Sequence, residues 1–401
     1  MRSWFSLVVM LAGCATQAST ASESSATTSG TSTSSASGPA SASSSGSAST
    51  GEPTSSGAEP TSSSSAGGTA EGLLFLDGTV VGLGVADIRV VDGKIGALGE
   101  LQAEAGETVI DLGGRWVAPA FIDSHVHLAY MPAGSAFAAR GVAGVMDLAA
   151  PVAIFGADMD PLRLLATGPM VTAELGYPTQ SWGSGGYGIE CADAAAAVAA
   201  VDMLAGLGAA AIKLPVTSAP QLPDDALAAA TARAHALGLP VVSHALSDAE
   251  ARRAALAGVD VLAHTPTEAL SQATISAWKG RAVSSTLRAF GGSETTIANL
   301  KALKAAGVTV LYGTDFGNTM TPGIDGNELA LLQQAGLSPK EVLAAGTSAP
   351  AARWGGFKGV LGGITVGLDA SFLVLAADPL IDPSILASAE SVYLRGVRVS
   401  P

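Results

Sequence analysis

Ala118-Pro119-Ala120-Phe121-Ile122-Asp123-Ser124-His125-Val126-His127 is an apolar run that ends on two histidines two residues apart. A short apolar run bounded by turn residues reads as a buried strand. Residues two apart on a strand point to the same side, so the two imidazoles converge at its C-terminal end. A lone histidine is ordinarily a satisfied structural group, whereas a pair at this spacing points to a metal.

Outward from this stretch, short β-branched runs alternate with Ala-rich helical stretches, the rhythm of βα units around a parallel sheet. Strands are expected at 117–123, 142–148, 164–172, 210–216, 240–244, 259–264, 282–287 and 308–314. Eight units in about 240 residues match the size of a (β/α)8 barrel of TIM type. A doubly wound open sheet has the same periodicity and is the structural alternative.

The polar exceptions to these apolar strands recur at one place. Lys213 lies in Ala210-Ala211-Ile212-Lys213-Leu214, His244 follows Val241-Val242-Ser243, His264 follows Val261-Leu262-Ala263, and Asp315 follows Tyr312-Gly313-Thr314. The steps from His125 are 88, 31, 20 and 51 residues, which fit three, one, one and two βα units. The six side chains then sit on strands one, four, five, six and eight and can meet at the C-terminal mouth where barrel active sites lie. The remaining histidine, His235, falls near a helix end and reads as structural or surface.

Around the barrel, expected at 118–358, residues 70–117 and 359–401 carry short β-rich runs. These include an Asp92-Gly93 hairpin turn after Ala86-Asp87-Ile88-Arg89-Val90-Val91. The two ends are expected to pair into one small β-sandwich domain. Ahead of them, Arg2 and the apolar stretch from Trp4 to Ala12 are too short for a membrane-spanning helix and read as a signal peptide over residues 1–13. Leu11-Ala12-Gly13-Cys14 resembles a bacterial lipobox, which implies lipidation at Cys14; an ordinary secretory signal with an incidental Cys14 is the alternative. Residues 15–69, mostly Ser, Thr, Ala and Gly, cannot bury enough apolar area to fold and read as a disordered tether. Such a chain spans on the order of 40 Å on average. The expected location is the cell envelope, anchored to a membrane, with the folded part outside the cytoplasm.

The whole chain has 401 residues, a formal net charge of −14 and 13% charged residues. That balance argues against a nucleic-acid partner, since phosphate would be repelled. With only Cys14 and Cys191, no structural disulfide is expected, and Cys191 reads as an inert thiol.

Taken together, Val90-Val91-Asp92-Gly93-Lys94-Ile95, the Ala118–His127 stretch, Ala211-Ile212-Lys213, Gly313-Thr314-Asp315 and Gly362-Gly363-Ile364-Thr365-Val366-Gly367-Leu368-Asp369-Ala370 resemble the amidohydrolase superfamily. The nearest branch by this resemblance is the imidazolonepropionase-like group with its prolidase-like peptidases. The resemblance implies two divalent metal ions, zinc foremost, with manganese, iron or cobalt suited to the same ligands. His125, His127 and Asp315 would hold one, His244 and His264 the other, and Lys213 would bridge them as a CO2-derived carbamate. Physically, a lysine buried in an apolar strand has a lowered pKa and supplies the neutral amine that reacts with CO2. The bland alternative is a Lys213 that snorkels to the rim or pairs with a carboxylate. Asp315 is the catalytic proton carrier of the implied reaction, hydrolysis of an amide, cyclic amide, peptide-type bond or ester by a metal-bridging hydroxide.

Substrate residues are less marked. The loop Glu174–Gly188 carries Tyr177, Trp182 and Tyr187 and is placed to face a small-molecule substrate, or else its aromatics only pack the loop. Arg288, after strand seven, either binds a substrate carboxylate or serves a structural ion pair. The chain departs from many relatives with Met146-Asp147 on strand two, with Ala370-Ser371-Phe372 after the barrel, and in lacking a histidine near Asp325. Two other functions are carried as alternatives. A mononuclear deaminase would want a His-x-x-Glu form where the chain has His244-Ala245-Leu246-Ser247, and a non-catalytic binding lipoprotein would keep the fold without its ligands.

Overall fold

A computed structural model describes residues 72–400. The signal segment, Cys14 and the rest of the stretch before Gly72 lie outside the described residues. Among the described residues, no helix is long and apolar enough to cross a membrane.

The chain begins with five strands: β1 (Leu73–Val80), β2 (Gly84–Val91), β3 (Lys94–Gly99), β4 (Thr108–Asp111) and β5 (Trp116–Pro119). β2 and β3 are joined by Asp92 and Gly93, with φ of 51° and 73°, so both central residues of the tight turn are left-handed. The parallel segments follow. β6 (Phe121–Val126), β7 (Val142–Asp147) and β8 (Arg163–Ala166) form one, and β9 (Met170–Ala173) and β10 (Gly188–Cys191) form another. β11 (Ile212–Lys213), β12 (Val241–Ser243), β13 (Val261–Leu262), β14 (Ala282–Ser284) and β15 (Thr309–Leu311) pair in sequence order as a third. Helices between them start on capping side chains, among them Asp193, Ser247 and Ser293, each accepting a hydrogen bond from a first-turn N–H.

The first and third segments are tied at one edge, where Ser124 N donates to Tyr312 O at 2.9 Å and Asp315 N donates to His125 O at 2.8 Å. At the other edge Ala210 N donates to Ala166 O at 2.9 Å. The fold is therefore α/β with parallel strands, present as three hydrogen-bonded segments instead of one continuous eight-stranded ladder.

Two expected strands are each split. The run at 117–123 divides at Ala120, because Val117 and Ala118 pair with Val374 and Leu373 in a different sheet while Phe121 onward pairs with β7. The run at 164–172 breaks at Gly168, which has φ of 68° and lies under Phe155, 2.6 Å from where a Cβ would stand.

The chain ends with β16 (Phe372–Leu375), β17 (Ser391–Leu394) and β18 (Val397–Arg398), which join β1–β5 in one eight-stranded sheet of order β18-β17-β16-β5-β1-β2-β3, with β4 beside β1. The pairing thus gives a single mixed sheet where two sandwiched ones were expected. Its apolar face has its own core, in which the rings of Phe75, Phe372 and Tyr393 meet at centroid distances of 4.8 to 5.3 Å.

Candidate metal centre

Parallel strands present all their C-terminal ends on one side, so the polar residues that end them are gathered there. His125 lies at the end of β6 and His127 just past it, Lys213 closes β11, His244 and His264 follow β12 and β13, and Asp315 follows β15. His125 and Asp315 are fully buried, and Lys213, His264 and His127 nearly so; His244 keeps partial exposure.

Three atoms crowd one point. The Nε2 atoms of His125 and His127 are 3.3 Å apart, and each lies 3.3 to 3.4 Å from Asp315 Oδ1. Asp315 Oδ1 is buried without a hydrogen bond of acceptable geometry, and so is His127 Nδ1. His125 Nδ1 lies 2.7 Å from Ala263 O, which fixes the proton on Nδ1 and leaves Nε2 as a lone pair. Lone pairs aimed at a shared point, with a carboxylate oxygen lacking a donor, are what a cation would satisfy. Ligand atoms of His125, His264 and Asp315 also lie within 4.8 Å of one another. His264 stands between the two halves of the site, with Nδ1 3.8 Å from Asp315 Oδ2 and Nε2 3.0 Å from His244 Nδ1.

Electrostatics favour neutral ligands around one anion. Burial pushes His125 and His264 well below the ordinary histidine range, and it lowers His244 to about 4 with help from Lys213. Burial works against the charge of Asp315, but the surrounding imidazoles and Asn318, whose Nδ2 donates to Oδ2 at 2.9 Å, hold its carboxyl well below the usual range. Burial brings Lys213 down to about 8, with Asp315 and Asp147 pulling the other way. A substantial share of its amine is therefore neutral in mildly alkaline water.

Supporting residues unremarked in the sequence hold this arrangement. Asp123 accepts from His125 N at 3.0 Å and from Thr314 N and Oγ1 at 3.1 and 2.6 Å, so one buried carboxylate ties the ends of β6 and β15 together. Burial raises its pKa to about 7. Asp315 itself has φ of 53°, a strained region that Asp tolerates better than most residues. Thr286, with φ of 41°, places Oγ1 3.1 Å from His264 Nδ1; the next two N–H groups, of Leu287 and Arg288, donate to buried Glu328 at 3.0 and 2.8 Å. These contacts join residues far apart in sequence, so no local pattern marks them.

The loop between β9 and β10 reaches the site. Tyr177 lies against His244 and Trp182 against His127, at ring centroid distances of 5.1 and 5.4 Å, while Tyr187 packs on Trp182 at 5.3 Å. Of the two roles expected for Arg288, the structure displays the ion pair. Its guanidinium contacts Asp325, the N-cap of helix Gly326–Gln334, and donates to Thr321 Oγ1 at 2.9 Å. Cys191 is buried, with a raised thiol pKa, and His235 pairs with Asp260 at 2.8 Å near the surface.

Comparison with known proteins agrees with this geometry. The sequence pattern of the amidohydrolase family matches residues 162–399, more than half of the chain. An uncharacterized protein of Mycobacterium tuberculosis (strain ATCC 25618 / H37Rv) is 29% identical over 372 residues, 80% of this chain and 95% of that one. In fold, the chain is similar to a Xaa-Pro dipeptidase with bound methionine in the active site (TM-score 0.70, 18% identity, 82% of this chain and 100% of the other). It is likewise similar to an ochratoxinase of A. niger (TM-score 0.66, 17% identity, 83% and 96%). The chain belongs to the amidohydrolase family and is a hydrolase acting on carbon-nitrogen bonds.

Proposed function

We propose that the chain is a binuclear metal-dependent hydrolase of the prolidase-like and imidazolonepropionase-like branch, cleaving an amide, cyclic amide or peptide-type bond. The observation that carries this reading is the buried, donorless Asp315 Oδ1 facing the Nε2 atoms of His125 and His127. In this reading the three parallel segments are parts of one (β/α)8 barrel, and its mouth would hold both ions. His125, His127 and Asp315 would hold one ion, His244 and His264 the other, and Lys213 would join them as a carbamate. Zinc suits this set of imidazole and carboxylate-type donors. When bound, such ions lower the pKa of water and polarise a carbonyl.

The chain's own residues do the rest. The neutral Lys213 amine attacks CO2 and loses a proton, leaving an anionic oxygen donor. His125 is kept in the right tautomer by the Ala263 carbonyl. Asp315, ionised and oriented by Asn318, takes the proton of the attacking water and delivers it to the leaving nitrogen. Tyr177 and Trp182 cover His244 and His127 and limit the water that reaches them.

The lipoprotein reading is part of the same proposal: Cys14 carries a lipid and the 15–69 segment tethers the hydrolase outside the cytoplasm. Its test is radiolabelled palmitate incorporation, expected in the parent and absent in Cys14→Ser.

For the activity, purified protein is assayed on dipeptides, N-acyl amino acids, cyclic amides and lactones before and after chelation. Turnover that is lost with chelator and restored by Zn, Mn or Co supports the proposal. Turnover indifferent to chelation and to His127→Ala contradicts it.

A further inference from the structure

We infer that the cavity beside His127 is a side-chain pocket for a compact, uncharged apolar group of the substrate, either a small ring or a branched alkyl. The inference rests on the hydrolase reading for its place beside the reacting atoms, while the cavity stands on its own geometry.

The cavity measures about 120 Å³ and is lined by His127, Tyr130, Trp182, Gly317 and Asn318. Trp182 forms its fixed wall. The indole is braced by His127, Tyr130 and Tyr187 at centroid distances of 5.3 to 5.7 Å. Its single donor, Nε1, is bound to Tyr177 Oη at 3.0 Å, so what remains for a ligand is carbon and π surface. Gly317 lets the backbone close in on His127 at another side: its φ is 119°, and a Cβ there would stand 2.9 Å from His127 Cβ. Asn318 joins the cavity to the reacting centre through its hydrogen bond to Asp315.

Size and charge define the occupant. A dry protein cavity of about 150 Å³ accepts benzene, so the space here suits a group no larger than a small ring. No lysine or arginine is among the lining residues, and the guanidinium of Arg288 is engaged by Asp325. An anionic side chain therefore has no cationic partner in the pocket. Aromatic rings do attract cations, which makes a lysine-type side chain the chemical rival.

The test is calorimetric binding of the N-acetyl amides of Gly, Leu, Phe, Trp and Lys to the full-length, zinc-loaded protein, all sharing one neutral backbone. Leu and Phe amides are expected to bind at least tenfold tighter than Gly and Lys amides, with the Trp amide too large and close to Gly. In Trp182→Ala the Leu preference over Gly should fall below threefold and the Trp amide should gain. Tyr130→Ala, at a residue 49% exposed and hence outside the core, should weaken the preference without threatening the fold. Binding of all five within twofold, a Lys amide equal to Leu, or a ranking unchanged in both variants would overturn the inference. If the ranking holds but neither these amides nor the dipeptides, N-acyl amino acids, cyclic amides and lactones are hydrolysed, the hydrolase reading fails and the pocket stands. If they are hydrolysed without side-chain preference, the pocket fails and the hydrolase reading stands.

Discussion

The terminal eight-stranded sheet and the mouth of the parallel strands bury their side chains on opposite principles. In the sheet, Phe75, Ile88, Phe372 and Tyr393 pack apolar surface on apolar surface, and the ion pair of Arg115 with Glu390 at 2.7 Å stays near the surface. At the mouth, His125, Lys213, His264 and Asp315 are buried together, and Asp315 Oδ1 and His127 Nδ1 have no hydrogen-bond partner. Burying such groups opposes folding. The difference shows where stability is made and where it is given up for chemistry.

That contrast can be broken by substitution. Asp315→Asn keeps a residue that tolerates φ of 53° but removes the proton acceptor, so turnover should fall by about 10² to 10⁴. Thermal unfolding should stay within a few degrees of the parent or rise, because a buried charge has gone; a collapse of the folded state would show that Asp315 serves stability first. Phe372→Ala should do the converse. It should cost about 3 to 5 kcal/mol in denaturant unfolding, while kcat per folded molecule is retained. A large loss of kcat at full folding would erase the division between the two regions.

The pH dependence sharpens the role of Lys213. With its pKa lowered to about 8, the neutral amine fraction rises as pH rises through that value. At constant dissolved CO2, the initial rate of carbamate formation in the apoprotein, followed by 13C NMR, should be about 25-fold greater at pH 8.5 than at pH 6.5. A flat profile, or carbamate in Lys213→Ala, would contradict the assignment. The smallest effect belongs to the sheet's rim: Arg115 and Glu390 are both nearly half exposed, so Arg115→Ala should change stability by about 1 kcal/mol or less.

The six polar strand ends are readable in the sequence because the apolar runs around them are unbroken, so a histidine or lysine stands out against its own strand. What stays concealed has two physical origins. Strand breaks at Ala120 and Gly168 depend on which distant strand the backbone pairs with, as Val117 does with Val374, and on Phe155 lying over Gly168. Asp123 and Glu328 act across the fold, Asp123 on Thr314 and Glu328 on Leu287 and Arg288, so their roles have no local signature. Arg288 illustrates the same limit, since its partner Asp325 arrives from the start of a later helix. The aromatics of the 174–188 loop are visible as a group, but only packing distinguishes Trp182, which walls the cavity beside His127, from Tyr187, which braces it.

A lysine-bridged pair of metal ions is tested most directly by metal stoichiometry, measured by elemental analysis of the full-length protein produced with bicarbonate, beside Lys213→Ala. Two divalent ions per chain are expected in the parent and one or fewer in the variant. One ion in both, or none in the parent, would contradict the bridged centre.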